Sequence, residues 1–530
     1  MLSRREFIKA STLASGAVFL NIHKTWGKPS ASEFFALNDF VQNHPDAVFI
    51  LKTNVDVKTN TAALLKVGQQ LGATLFVNTP NAAGAFPVTS DIILKPNITA
   101  WAWDTAPVEQ TMGIQTDPYF VEGMINSLTN LGAAQKNLFI REANYVSSQA
   151  DGKWYSDLAA RTGIDLKDFD TVDKLPAADV QWMDVPNGVW YKKIPYLSPV
   201  NTPGSCLVNI AKFKSHSMGM TLCSKNIQGT NARPYVAHCA AWGTTMAGVD
   251  PNDIVLDAFS SIKSNYNRHV AAGIPRWDLP GTASGGLWME THTARCLDNN
   301  SVLQPIINII EGVYGREGPF VSGPEDNGGY GRDIMTNVVI FGKNARHVDI
   351  IGTYLAGHEP GNFGLFHIAV ERGLSKYLDP NSIPLYEWKL DGSATLTPLQ
   401  NFARTPIRTL YLQKAGVAQY HMVNEPYDYS GATSVASAKP GKPDFFHISQ
   451  NYPNPFNPST SIQYYIPKSG NVRLEIFDVR GSLVEVLVDN YAHAGDHVAV
   501  WNSQSKASGT YYYRLLYEGF AQTKSMVLLK

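Results

Sequence analysis

The sequence predicts an α/β protein, a mostly parallel sheet with flanking helices, followed by a small C-terminal immunoglobulin-like β-sandwich. Three observations predict it. Between residues 33 and 423, short apolar runs alternate with stretches of helical periodicity. Between residues 447 and 530, helical periodicity is lost and alternating strands follow one another between closely spaced turn signals. Residues 424–446 separate the two regions; they are rich in Ser, Gly, Ala and Pro, lack apolar periodicity and read as a linker. With 530 residues, 44% of them apolar, the chain can bury a sizeable core.

The elements follow in order. Ala47–Leu51 and Thr74–Asn78 read as strands flanking a helical stretch, Thr61–Leu71. Asp91–Leu94 is an apolar run closed by Lys95-Pro96-Asn97, a buried strand with polar groups at its C-terminal end. Thr116-Asp117-Pro118 opens a helix, with Asp as N-cap and Pro in the first turn. Phe120, Val121, Met124, Ile125, Leu128 and Leu131 then fall at helical spacing, and Gly132 supplies the stop. Asn137–Arg141 is the next strand, so this segment predicts a βαβ unit and a parallel sheet. Cys206–Ile210, Leu303–Ile310, Val338–Phe341 and Asp349–Ile351 are further apolar runs, the last leading into a helix. In open α/β sheets ligands gather beyond the C-terminal ends of strands. The expected places are Lys95–Asn97, Glu142–Asn144, Lys212–Gly229 and Glu311–Gly318.

Composition excludes several functions. Lys and Arg total 44 against 45 Asp and Glu, which leaves no global attraction for nucleic acid or anionic lipid. The four cysteines (Cys206, Cys223, Cys239, Cys296) form no C-x-x-C pair, so neither a disulfide scaffold, a zinc ribbon nor an iron–sulfur cluster is expected. No apolar run reaches the roughly 18 residues of a transmembrane segment. Walker, dinucleotide, G-x-S-x-G and H-E-x-x-H motifs are absent.

A basic segment carries the chemistry. No Asp or Glu occurs between Asp184 and Asp250, whereas Lys192, Lys193, Lys212, Lys214, Lys225 and Arg233 all fall there. If the Cys206 strand continues, Lys212, Lys214 and His216 share one face. Such a patch suits a small anionic ligand, and clustered lysines favour a base or an imine former. The same composition also fits a solvated charged loop. The catalytic candidates are Lys214, His216 and Lys225. The substrate-binding candidates are Lys95, Asn97, Lys212, Asn226 and Gly229. The stretch Glu311–Gly331 has seven glycines and four acids and follows a strand. It reads as an anion cradle, as a surface loop or as a carboxylate site for a divalent metal; the metal candidates are Glu311, Glu317 and Asp349. His238, His292 and His358 are isolated candidates, Cys223 is a candidate activated thiol, and Trp101 and Trp103 suit a core or lid.

Both ends carry addresses. Ser3-Arg4-Arg5-Glu6-Phe7-Ile8-Lys9 and the weakly apolar Ala10–Leu20 form a twin-arginine signal over residues 1–31. Pro29-Ser30-Ala31 is an acceptable cleavage site, and an uncleaved signal also fits. At the other end stand NYPNPFNPST (451–460), IFDVRG (476–481), GTYYYRL (509–515) and KSMVLLK (524–530). This segment resembles the type A C-terminal sorting domain of the type IX secretion system. The two addresses imply the twin-arginine translocase and the type IX machinery as partners, with passage through the periplasm to the cell surface or the exterior.

The region from about 85 to 400 resembles the domain of unknown function 362 family. The motifs are Lys95-Pro96-Asn97, Thr116-Asp117-Pro118, Lys212 and Lys214-Ser215-His216, Lys225-Asn226-Ile227-Gln228-Gly229, Gly315–Gly318 before Pro319, and the helix of Asp349. Ser215, Ser224 and Glu311-Gly312 depart from the family's usual Thr, Leu and Asp-Gly. The resemblance implies a site but no substrate; some relatives carry an iron–sulfur module whose cysteines this chain lacks. The first reading is an exported enzyme acting on a small anionic or carbonyl compound. A non-catalytic cell-surface ligand-binding protein is the alternative. The His-Lys-Gly pattern is also loosely similar to nickel-pincer racemases.

Overall fold

The computed structural model describes residues 33–82, 84–98, 111–142, 150–167, 177–232, 235–236, 254, 256, 258–275, 287–411, 420–430, 447–448, 451, 453–466, 469–493, 495–517 and 520–530. The twin-arginine segment, Trp101, Trp103, Asn144, Arg233, His238 and Cys239 lie outside the described residues. The chain divides into two compact units, Met1–Tyr429 and Ser430–Lys530.

In chain order the strands of the first unit are β1 (Phe34–Leu37), β2 (Val48–Lys52), β3 (Phe76–Thr79), β4 (Phe86–Pro87), β5 (Ile92–Pro96), β6 (Leu138–Arg141), β7 (Asp165–Lys167) and β8 (Val180–Asp184). They continue as β9 (Lys193–Leu197), β10 (Cys206–His216), β11 (Gly219–Thr221), β12 (Ile307–Ser322), β13 (Tyr330–Gly342), β14 (Leu385–Trp388) and β15 (Ala394–Leu396). Ten of them form the central sheet, in the order β15-β14-β2-β13-β12-β10-β5-β6-β7, with β11 also paired to β10. Contacts β7–β6, β6–β5, β5–β10, β10–β12 and β2–β14 are parallel. Strand β13 runs antiparallel between β12 and β2, so the sheet is mixed.

The parallel half is covered on both faces, and its strands are continuous apolar runs for that reason. Ile92, Leu94, Cys206, Val208, Ile210, Ile307 and Ile309 point into one core, under the helices Thr61–Leu75 and Pro118–Asn130. Ile93 and Leu207 point the other way, toward Ile227, Ile262 and Ala294. The helix expected after Thr116 forms as Pro118–Asn130, with the Asp117 carboxylate accepting from the Tyr119 and Phe120 amides.

Four expectations are corrected. The Thr74–Asn78 region contributes β3, but β3 pairs antiparallel with β1 in a separate three-stranded sheet and closes no βαβ unit with β2. The helix Thr61–Leu75 runs directly into Phe76, leaving no residues to reverse the chain. The run from Leu303 begins as strand only at Ile307, because Leu303 caps the preceding helix Trp288–Val302. Asp349–Ile351 lies inside the helix Ala345–Leu355 rather than ahead of it. The glycine-rich stretch from Glu311 is the β12–β13 hairpin and not a loop. Its glycines serve close approach: a Cβ on Gly315 would stand 2.8 Å from Ile407 Cδ1 and 3.0 Å from the Phe213 carbonyl oxygen. At the hairpin's end Gly328 and Gly329 adopt φ of 66° and 78°, which favours glycine.

The second unit adds β16 (His447–Ile448), β17 (Ser459–Ile466), β18 (Gly470–Phe477), β19 (Leu483–Ala492), β20 (Gly495–Asn502), β21 (Gly509–Tyr517) and β22 (Phe520–Leu528). They form antiparallel sheets ordered β16-β17-β20 and β19-β18-β21-β22. One apolar core, including Ile462, Leu474, Ile476, Trp501, Tyr513 and Met526, fills the sandwich. Among the described residues no helix is long and apolar enough to cross a membrane.

Candidate functional site

The C-terminal ends of β5, β6, β10 and β12 lie side by side and carry buried charges. Lys95, at the end of β5, donates to Glu142 Oε2 at 2.7 Å, to the Pro96 carbonyl at 2.7 Å and to Asn226 Oδ1 at 3.2 Å. These three acceptors satisfy the three protons of its ammonium group. Burial pushes its pKa down, and the Glu142 charge opposes that. Gly229 packs directly on the pair: a Cβ there would stand 2.1 Å from Glu142 Oε1 and 2.7 Å from Lys95 Cε.

Lys212 is paired in the same manner. Its Nζ lies 2.6 Å from Glu311 Oε2 and 3.4 Å from the centre of the Tyr314 ring. Glu311 also accepts from the Asp117 and Val313 amides, and Tyr314 donates to Asp117 at 2.6 Å. Asp117 is pushed up to about 6, by burial first and then by the Glu311 charge. The acids missing from the basic segment are thus supplied by neighbouring strands.

Strand β10 does continue to His216, and Lys212, Lys214 and His216 are all buried on it. Lys214 donates to the Pro319 carbonyl at 3.0 Å and lies 5.5 Å from the Phe320 ring centre. The Met218 amide donates to His216 Nδ1 at 3.1 Å, which places the proton of the neutral ring on Nε2. Burial, then the charges of Lys225, His292 and Lys214, hold His216 well below its ordinary range. The His216 ring stacks on His292 at 6.2 Å.

The turn after β11 leads into a short helix, Cys223–Asn226, whose first amides are capped from elsewhere in the chain. Cys223 N donates to Asp349 Oδ1 at 2.7 Å and Ser224 N to Oδ2 at 2.8 Å. Burial raises Asp349 to about 6 against those hydrogen bonds. Asn226 donates to the Lys95 carbonyl at 2.9 Å and to Asn209 Oδ1 at 2.8 Å, which fixes its side chain.

Lys225, between these anchors, is different. It is 9% exposed, and it has neither a hydrogen bond nor an ion pair among the described residues. Its charge acts on Lys95, His216 and His292. His292 is pushed down to about 3 by burial, then by Lys225 and Arg295. Several buried polar atoms of the same strand ends and of the Trp288–Val302 helix also lack partners among the described residues: Asn97 Oδ1, Thr221 Oγ1, Asn231 Oδ1, Thr291 Oγ1 and His292 Nδ1. Native interiors rarely leave such atoms unpaired.

Of the sequence candidates, Lys95, Lys225, Asn226 and Gly229 come together, with His216 coupled to them through Lys225 and to Lys214. Asn97 ends the same strand, its amide bonded to Thr116 Oγ1 at 2.9 Å. Lys212 is held in its own pair with Glu311. The three metal candidates have separate partners: Glu311 holds Lys212, Glu317 holds Arg332 and Arg408, and Asp349 caps the short helix. Among the described residues no three His, Cys, Asp or Glu side chains are grouped to hold a metal ion. The reading of Cys223 as an activated thiol is corrected: burial and the Asp349 charge push its pKa well up. His358 uses both nitrogens structurally, toward the Ile407 carbonyl and the Val423 amide. Sequence reasoning missed the Trp288–Val302 helix, whose Arg295, Cys296, Asp298 and Asn300 are all buried. Its polar run gave no apolar stripe to announce a buried helix.

Residues 92–354 match the family described as Domain of unknown function (DUF362). Residues 450–529 match the secretion system C-terminal sorting domain. No curated protein matches the chain at a significant level. The sorting domain marks a protein secreted by the type IX machinery to the cell surface or the exterior. The polar centre described above falls within the first match, and the β-sandwich is the second. The chain therefore joins a domain of the DUF362 family to a type IX secretion sorting domain.

Proposed function

We propose that the centre binds a small anionic or carbonyl compound on Lys225 and acts on it. The observation that carries this reading is the Lys225 ammonium, nine-tenths buried and without a counter-ion among the described residues, beside two histidines held neutral. A buried charge without a partner is costly, and a ligand carboxylate or enolate would supply the missing one. Uncharged Asn97, Thr221 and Asn231 offer further polar groups to the same ligand. His216 presents Nε2–H and is suited to donate to, or exchange a proton with, a ligand oxygen; Lys214 lies behind it. Lys95, Lys212, Asn226 and Gly229 support the centre as fixed structure. The twin-arginine route, which delivers folded proteins to the periplasm before type IX passage, supports a site assembled before export.

Thermal shift on the full chain tests the reading, with sodium acetate, sodium pyruvate and inorganic phosphate as probes. At least one anion should raise the melting temperature in a saturable way, and Lys225→Met should abolish the shift. A shift that persists unchanged in Lys225→Met overturns the reading. Turnover of a bound compound distinguishes an enzyme from a surface binding protein, and His216→Gln should reduce turnover more than binding.

A further inference from the structure

We propose that Cys296, backed by His292, is a nucleophile of this centre and attacks the carbonyl carbon of a small oxo-carboxylate held on Lys225. The inference rests on the anion-binding reading above and names its substrate class.

His292 and Cys296 stand four residues apart on the helix Trp288–Val302 and so share a face. Cys296 Sγ lies 3.5 Å from His292 Nε2, within reach of a thiol-to-imidazole hydrogen bond. Gln228, in the turn following the Lys225 helix, donates to the same sulfur at 2.8 Å. That turn therefore joins the thiol to the segment carrying Lys225. Gln228 and Lys225, each 9% exposed, cover the sulfur, and Cys296 itself is fully buried. Cys206 and Cys223 are buried to the same degree, and what sets Cys296 apart among the described residues is the imidazole beside its sulfur; the Cys223 thiol faces the Ile309 carbonyl instead.

Two further observations point to a ligand here. Lys225 has no counter-ion among the described residues, and its charge bears on His292. His292 Nδ1 is buried with no hydrogen-bond partner among the described residues. At rest the imidazole is neutral, since burial and the Lys225 and Arg295 charges oppose protonation of His292. A carboxylate on Lys225 cancels one of those positive charges and so raises the proton affinity of the ring. The bound substrate thereby prepares its own nucleophile.

The step balances within the site. The thiol proton moves to His292 Nε2, and the sulfur lone pair forms a bond to the carbonyl carbon. The C=O π pair moves onto oxygen, which takes the proton back from the imidazolium. The product is a hemithioketal or hemithioacetal, with no change of oxidation state.

Alkylation of the full chain tests this without knowledge of the substrate. Iodoacetate and iodoacetamide both form a C–S bond and release iodide, but only iodoacetate carries the charge that Lys225 would hold. Peptide mapping should find Cys296 labelled while Cys206 and Cys223 stay unmodified. Labelling by iodoacetate should be at least tenfold faster relative to iodoacetamide than for a free thiol. That preference should vanish in Lys225→Met, and His292→Gln should slow both reagents at least tenfold. If Cys296 resists both reagents while acetate still shifts the melting temperature, the nucleophile is overturned and the anion site stands. If both reagents label it alike with no dependence on Lys225, the thiol is reactive but the oxo-carboxylate assignment fails, and the anion reading with it.

Discussion

In the sandwich, Leu474, Ile476, Trp501, Tyr513 and Met526 are sealed, and Glu475 is the only buried charged side chain among its described residues. Glu475 is held from the surface by Arg473 and Arg514. The α/β unit buries Lys95, Lys212, Lys214, Lys225, Glu142, Glu311, Asp117, Arg295 and Asp298 together with neutral histidines. The sandwich is what apolar burial alone produces. The α/β unit holds several costly groups near the strand ends, and nearly all of them are paired. The difference supports the proposal that the site lies in the α/β unit: a domain needed as an address has no reason to bury charge, whereas a domain with a site does.

Tests that break this contrast rank by expected effect. Glu142→Gln leaves Lys95 charged in the interior and should cost about 3–5 kcal/mol in urea unfolding. Trp501→Ala should cost the sandwich a similar amount, about 3–5 kcal/mol, by cavity formation, while the response to acetate stays as in wild type. Gly229→Ala forces the Lys95–Glu142 pair apart and should cost about 1–3 kcal/mol, with weakened acetate binding.

Two smaller effects sharpen the comparison. His358 is held down to about 3 by burial, below the unfolded value near 6.5. The unfolded chain takes up that proton first, so stability is full above pH 6.5 and is lost as pH falls toward 3. The expected slope is about 1.4 kcal/mol per pH unit for this residue, and His358→Gln should remove it from unfolding curves at pH 7, 6 and 5. Lys225→Met should show no loss of stability, because no partner is orphaned; a loss comparable to Glu142→Gln would mean that Lys225 is structural.

Much of the scaffold was legible locally. The Lys95-Pro96-Asn97 strand end, the Asp117 cap and the alternating strands of the C-terminal region stand where their residues placed them. Each depends on neighbours a few residues away. The Glu311–Gly331 hairpin was not legible, because its glycines answer to Phe213, Val338 and Ile407, which lie far away in the sequence. The Trp288–Val302 helix was missed for a similar reason: its polar residues bond to Tyr191, Ser224, Gln228 and Arg346, and without those partners they read as solvent-facing.

The amino-acid order by itself determined the two-part organisation, the sorting sandwich and the strand ends where polar groups gather. It did so because periodicity, caps and turns act over short range. Only the tertiary structure decided which charges are free. Lys95, Lys212 and Lys225 are equivalent as letters. Glu142 and Glu311 arrive from neighbouring strands to neutralise the first two, and among the described residues no acid reaches the third. Charge pairing in a sheet is a long-range contact made across strands, and no local pattern encodes which lysine is left over.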